Sequence, residues 1–196
     1  MEDRVLTERE SLELISQMIR NTREKVEKNA GAPFLIWGYT TVIISLVVWY
    51  LFSTTHNPAW HWLWFGIPVI GLPLFLLQVR AQEKQPKVKT YVDRIITYIW
   101  AVMGTTSFVV AVFAMFYRTP VLFIMLLMMG MATTLTGLVI RFTPIIISGI
   151  LGVGCSFICF FITGTDQILL FALVFLLMMV IPGHVLNYSA KVHSKK

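Results

Sequence analysis

Six stretches of apolar residues, each close to the ~20 that a helix needs to cross the hydrocarbon of a bilayer, constrain this chain more than any other feature. They run over about 33–52, 59–79, 95–117, 121–140, 145–162 and 168–185. Only 13% of the residues are charged, far below the roughly 25% usual for a water-soluble domain. The mean hydropathy of +0.75 leaves little sequence outside the runs. The expected fold is all-α: a polytopic transmembrane bundle of six helices, preceded by a cytoplasmic amphipathic N-terminal helix. This divides the chain into an amphipathic helix and linker at 1–31, a membrane domain at 32–190 and a basic tail at 191–196.

The joints between the runs argue for six helices over four longer ones. Asn57 before Pro58, Thr119 before Pro120 and Thr143 before Pro144 each pair a side chain able to cap a helix with a proline suited to the first helical position. Asp166 is expected to do the same for the sixth helix, with a carboxylate near the positive end of the helix dipole. Thr90 and Asp93 offer a capping box for the third.

Basic residues set the expected orientation, because cytoplasmic flanks retain Lys and Arg. Of 16 such residues, only Arg118 falls on the side opposite the termini when six spans alternate. Both ends are therefore expected in the cytoplasm. Trp49, Tyr50, Trp60, Trp62, Trp64 and Tyr117 gather at the outer boundary, and Tyr91 and Tyr188 at the inner one, where amphipathic rings prefer to sit. The net charge of +6 is explained by these flanks and by anionic headgroups rather than by nucleic acid. About 30 polar residues precede the first run, which is not the pattern of a cleavable signal peptide. The first span is expected to act as an uncleaved anchor.

Residues 7–28 carry an amphipathic pattern. Thr7 and Glu10 form a capping box, and Leu12, Ile15, Ile19 and Val26 recur on one face. Asn29, Gly31 and Pro33 supply an expected exit. The stripe can lie on the membrane, dock on the loop at 80–94, or receive a soluble or membrane protein partner.

Within the spans, two groups stand out. Gly66, Pro68, Gly71 and Pro73 predict a kink in the second helix, since proline removes backbone donors and glycine eases bending. The kink is either static or a gate. Ser148, Gly152 and Ser156 in the fifth span, with Gly130 and Gly137 in the fourth, let helix backbones approach closely. They predict packing within the bundle or, alternatively, a homodimer face.

Met125, Met128, Met129 and Met131 with Cys155 and Cys159 form only a weak soft-metal pattern, with no Cys-Pro-Cys beside it. His56, His61 and His184 stand without a second histidine at metal-motif spacing, so no metal is assigned. No Asp, Glu, Lys or Arg lies near the centre of a span, which disfavours ion-coupled transport. Metalloprotease, hydrolase and nucleotide-binding motifs are missing. The expectation is a protein that is not an enzyme and implies no cofactor.

The charged N-terminal segment running into Pro33-Phe-Leu-Ile-Trp-Gly38, the run Gly130-Met-Ala-Thr-Thr-Leu-Thr-Gly137 and the ending Ile181-Pro-Gly-His-Val-Leu-Asn187 carry a resemblance. The chain resembles an uncharacterised family of small bacterial multi-pass integral membrane proteins with six helices. That resemblance implies a bacterial cytoplasmic membrane and an all-helical bundle, and it transfers no catalytic residue. The leading expectation is a sensor, regulatory or assembly component acting through its cytoplasmic face. A small uncoupled transporter or channel using the second helix comes next, and a lipid-active membrane enzyme after that.

Overall fold

The computed structural model describes the backbone of residues 8–83 and 91–193 and the side chains of residues 31–81 and 91–189. The capping residues Thr7 and Thr90, the 84–90 connection and the end of the basic tail lie outside them. So do the side chains of the stripe Leu12, Ile15, Ile19 and Val26. The elements among the described residues are all helical, two of them short variants of the α-helix: α1 Glu8–Thr55, a 3₁₀ segment Pro58–Phe65, α2 Gly66–Glu83, α3 Tyr91–Phe116, α4 Val121–Ile140, α5 Thr143–Phe161, α6 Asp166–Phe175, a π segment Leu176–Val180 and α7 Ile181–His193. Six helical stretches are long and apolar enough to cross a membrane: Gly31–Thr55, Pro58–Ala81, Tyr91–Phe116, Val121–Ile140, Thr143–Phe161 and Asp166–Ser189.

Two boundaries differ from the sequence-based expectation. The helix does not exit at Asn29, Gly31 and Pro33; α1 runs through all three. At Gly31 it lies so close to the sixth span that a methyl group there would collide with the Asn187 side chain, so tertiary packing holds helical a segment whose local signals favour an end. The sixth span reaches Ser189 rather than 185, with the π segment in its middle.

The caps were also only partly as expected. Asn57 does cap, accepting a 2.9 Å hydrogen bond from the Ala59 N–H. Thr119 does not, because α4 begins one residue later and Pro120 occupies the cap position itself. Thr143 does not either: Phe142 is extended, which moves Thr143 inside α5. Arg141 explains this shift. Its left-handed conformation, φ 54°, lets Phe142 N–H reach the Gly137 carbonyl at 3.0 Å and Arg141 N–H the Leu138 carbonyl at 3.2 Å. This is a Schellman closure that turns α4 into α5 within two residues. Asp166 sits in the first turn of α6 without capping; its charge still opposes the helix dipole there.

The spans divide into two sets. α1, α4, α5 and the sixth span form the packed centre, and α4 and α5 make the most extensive helix pair. The buried side of α1 reads Gly31, Phe34, Gly38, Thr41, Ser45, Val48, and that of α5 reads Ile145, Gly149, Gly152, Ser156, Cys159. Both alternate three- and four-residue steps, the seam of left-handed helix pairs. Spans 2 and 3 stand outside: α2 and the 3₁₀ segment rest mainly on α1, and α3 rests mainly on α4.

Candidate functional site

Ser148, Gly152, Ser156, Gly130 and Gly137 meet inside the chain. A methyl group on Gly130 would stand 2.8 Å from the Val153 backbone nitrogen and 3.1 Å from the Gly149 carbonyl oxygen, and one on Gly137 would stand 2.7 Å from the Ile146 nitrogen. Backbone therefore lies on backbone along the α4–α5 seam. Gly152 turns toward Met178 of the π segment. The homodimer alternative for this face meets a physical obstacle, since α4 and the sixth span of the same chain already cover it. From sequence Gly149, the centre of the seam, counts only as a neighbour of the series Ser148, Gly152 and Ser156, because the four-residue step passes it by.

The π segment has a local cause. Pro182 has no N–H to return to the Met178 carbonyl one turn earlier. The Ser148 hydroxyl instead donates to that carbonyl at 3.3 Å, sharing its proton with the Ile145 carbonyl at 3.0 Å. The Ile181 N–H reaches back five residues to Leu176, the widened π bond. Directly opposite, α1 comes in at Gly38, where a methyl group would meet Val180 Cγ2 at 2.9 Å.

Beside this junction Tyr39 and His184 share a hydrogen bond of 2.8 Å between the phenol oxygen and Nε2. Both are exposed at the protein surface. Sequence reading missed the pair because the residues are 145 positions apart and no local pattern links them. His56 and His61 instead pack their rings on Phe52.

The second-span residues surround a different feature. Gly66 marks the change from 3₁₀ to α-helix, with N–H bonds to the Leu63 and Trp64 carbonyls, and Pro68 follows in the first turn of α2. The sequence predicted one kinked helix over 59–79; the geometry change falls at its Gly66 joint, and Pro73 lies inside an α2 that stays helical. Gly71 admits the Trp37 ring, whose Cζ3 would lie 2.6 Å from an added methyl group. Next to that contact, α1 and α2 part to leave an open crevice of about 310 Å³, lined by Leu35, Tyr39, Thr40 and Ile43 of α1 and by Ile70 and Leu74 of α2, among others.

Cys155 is half-buried and Cys159 buried, both as free thiols. Among the described residues no three His, Cys, Asp or Glu side chains come together in a way that could hold a metal ion. Comparison with protein-family models, curated proteins and solved structures finds no match to this chain.

Proposed function

We propose that this chain is a non-enzymatic membrane component, a regulatory or assembly subunit whose second and third spans mate with a different membrane protein while its other four spans hold a fixed shape. The setting proposed is a bacterial cytoplasmic membrane, as the resemblance implies, with both termini inside on the strength of the Lys and Arg asymmetry. The carrying observation is the uneven burial of the spans. In spans 2 and 3 only 6% of the most apolar window is buried within the chain, against 44%, 44%, 28% and 56% in spans 1, 4, 5 and 6. Val69, Leu76, Val102 and Val109 accordingly show half or more of their surface.

Helix association in hydrocarbon depends on shape and packing rather than on burying apolar area, so such spans stay free to take a neighbour. The crevice beside α2 supports a channel less well, because its mainly aliphatic lining suits hydrocarbon better than a polar solute. Residues 1–28 are proposed to add a cytoplasmic contact with the same partner.

Photoreactive residues placed singly at Val69, Leu76, Val102 and Val109 test this in intact membranes, with the buried Leu126 position as control. A discrete adduct with one second protein from neighbouring positions is expected. Adducts with lipid alone at all four positions, or only with another copy of this chain, would overturn the reading. Deleting residues 1–28 should weaken the adduct; unchanged yield would remove the N-terminal contact from the proposal.

A further inference from the structure

We infer that the surface shared by α1 and the sixth span pairs two copies of this chain, through a ring of four hydrogen bonds in which Tyr39 and His184 of one copy alternate with the same residues of the other. Both side chains are exposed. The two helices run antiparallel, since Gly31 meets Asn187 and Gly38 meets Val180. Tyr39 stands about 12 Å along the first span from Gly31, and His184 about 7.5 Å before Ser189, at 1.5 Å per residue. Side chains lean toward the N-terminus of their helix, so these two lean toward each other. Their bond therefore falls inside a hydrocarbon layer of ~30 Å.

That bond satisfies only half of the pair. A phenol and a neutral imidazole together carry two donors, and the 2.8 Å bond uses one of them. Whichever nitrogen holds the proton, one donor and one acceptor are left over, and neither finds a partner among the described residues. A polar group facing hydrocarbon without a partner is costly. Lipid tails offer no acceptor, and an unrelated helix would have to bring one of its own.

A second copy brings one already in place. Two copies in one membrane share an orientation, so their two-fold axis lies along the membrane normal. Such an axis sets α1 of each copy against the sixth span of the other, with identical residues at equal depth. Where Tyr39 donates to Nε2 within each chain, Nδ1–H of each His184 donates to the Tyr39 oxygen of the other copy. In the other tautomer every bond reverses and the ring still closes. Ile43 and Leu46 beyond Tyr39, and Leu177 and Ile181 before His184, follow at steps of three or four and are exposed as well. They give the polar ring an apolar flank of the kind that packs helix on helix. The outward sides of α2 and α3 take no part, so pairing here and contact with another protein there stand or fall separately.

Energy transfer between labelled copies of the full chain in liposomes, followed as lipid dilutes them, measures the pairing. The wild type should dimerise. Tyr39→Phe and His184→Phe should each weaken dimerisation roughly 25-fold, because symmetry removes two hydrogen bonds at about fivefold each. A mixture of the two variants separates this role from one confined to a single chain. The Tyr39→Phe chain keeps His184 and the His184→Phe chain keeps Tyr39, so a mixed pair regains one bond. It should form about fivefold more readily than either variant with itself, beyond the statistical ratio. Ile43→Trp, which leaves the Tyr39–His184 bond intact, should also weaken pairing, and a photoreactive residue at Leu46 should link to a second copy. A monomeric wild type, equal association in wild type and both Phe variants, a statistical mixture, or Leu46 adducts with lipid or a different protein alone would overturn the inference.

Discussion

At the scale of single residues, the glycines separate into those that touch rigid neighbours and those that do not. Gly130 and Gly149 face backbone atoms across the α4–α5 seam, Gly152 faces the flexible end of Met178, and Gly154 and Gly104 face open space. A methyl group should therefore have three different effects. Gly130→Ala or Gly149→Ala should cost about 1–3 kcal/mol, the usual price of overpacking. Gly152→Ala should cost less, since a thioether can swing aside. Gly154→Ala and Gly104→Ala should be neutral or stabilise by roughly 0.5–1 kcal/mol through helix propensity. Unfolding in detergent would rank the five variants, and an equal response across them would contradict the seam. The sequence did mark Gly130, Gly137 and Gly152 as small residues suited to close approach. It could not tell Gly130 from Gly154, because a glycine facing a helix and one facing lipid differ only in their neighbours.

At the scale of elements, the sixth span shows how one missing N–H is accommodated. Pro182 withdraws a donor, the helix widens, and Ser148 donates across from α5 to the Met178 carbonyl. The two features should be coupled. Ser148→Ala should lose about 1 kcal/mol in the native chain, the worth of an ordinary hydrogen bond, but little in a Pro182→Ala background where the helix supplies its own donor. A double-mutant cycle measures the difference, and strict additivity would show that the Ser148 bond is independent of the proline. The number of helices was legible in the apolar runs, since a span length is a property of local sequence. Their ends were less so. Thr119 and Thr143 carry good capping chemistry, yet the left-handed Arg141 and the placement of Pro120 shift the helix starts past them. Helix caps depend on how the chain arrives, and that is fixed by neighbouring spans.

At the scale of the whole molecule, four spans pack on one another and two stand beside them. The small residues marked spans 4 and 5 as partners, but nothing in the runs set spans 2 and 3 apart, because Leu and Val facing lipid look the same as Leu and Val facing a partner. The Tyr39–His184 pair and the crevice were hidden for the same reason: each joins residues from different spans that share no local pattern. Everything proposed for spans 2 and 3 depends on their lying outside the packed centre, and paired cysteines in native membranes test that directly. Phe123 and Phe157, whose rings lie 5.6 Å apart between α4 and α5, and Tyr39 and His184, joined between α1 and α7, mark pairs within the centre. Cysteines at either pair, with Cys155 and Cys159 replaced, should be joined within the chain by a thiol-reactive crosslinker of side-chain length, whereas a pair at Leu76 of α2 and Tyr98 of α3 should remain unlinked within the chain. Rapid linkage of the Leu76 and Tyr98 pair, matching that of the central pairs, would contradict the division and place spans 2 and 3 in a closed bundle instead.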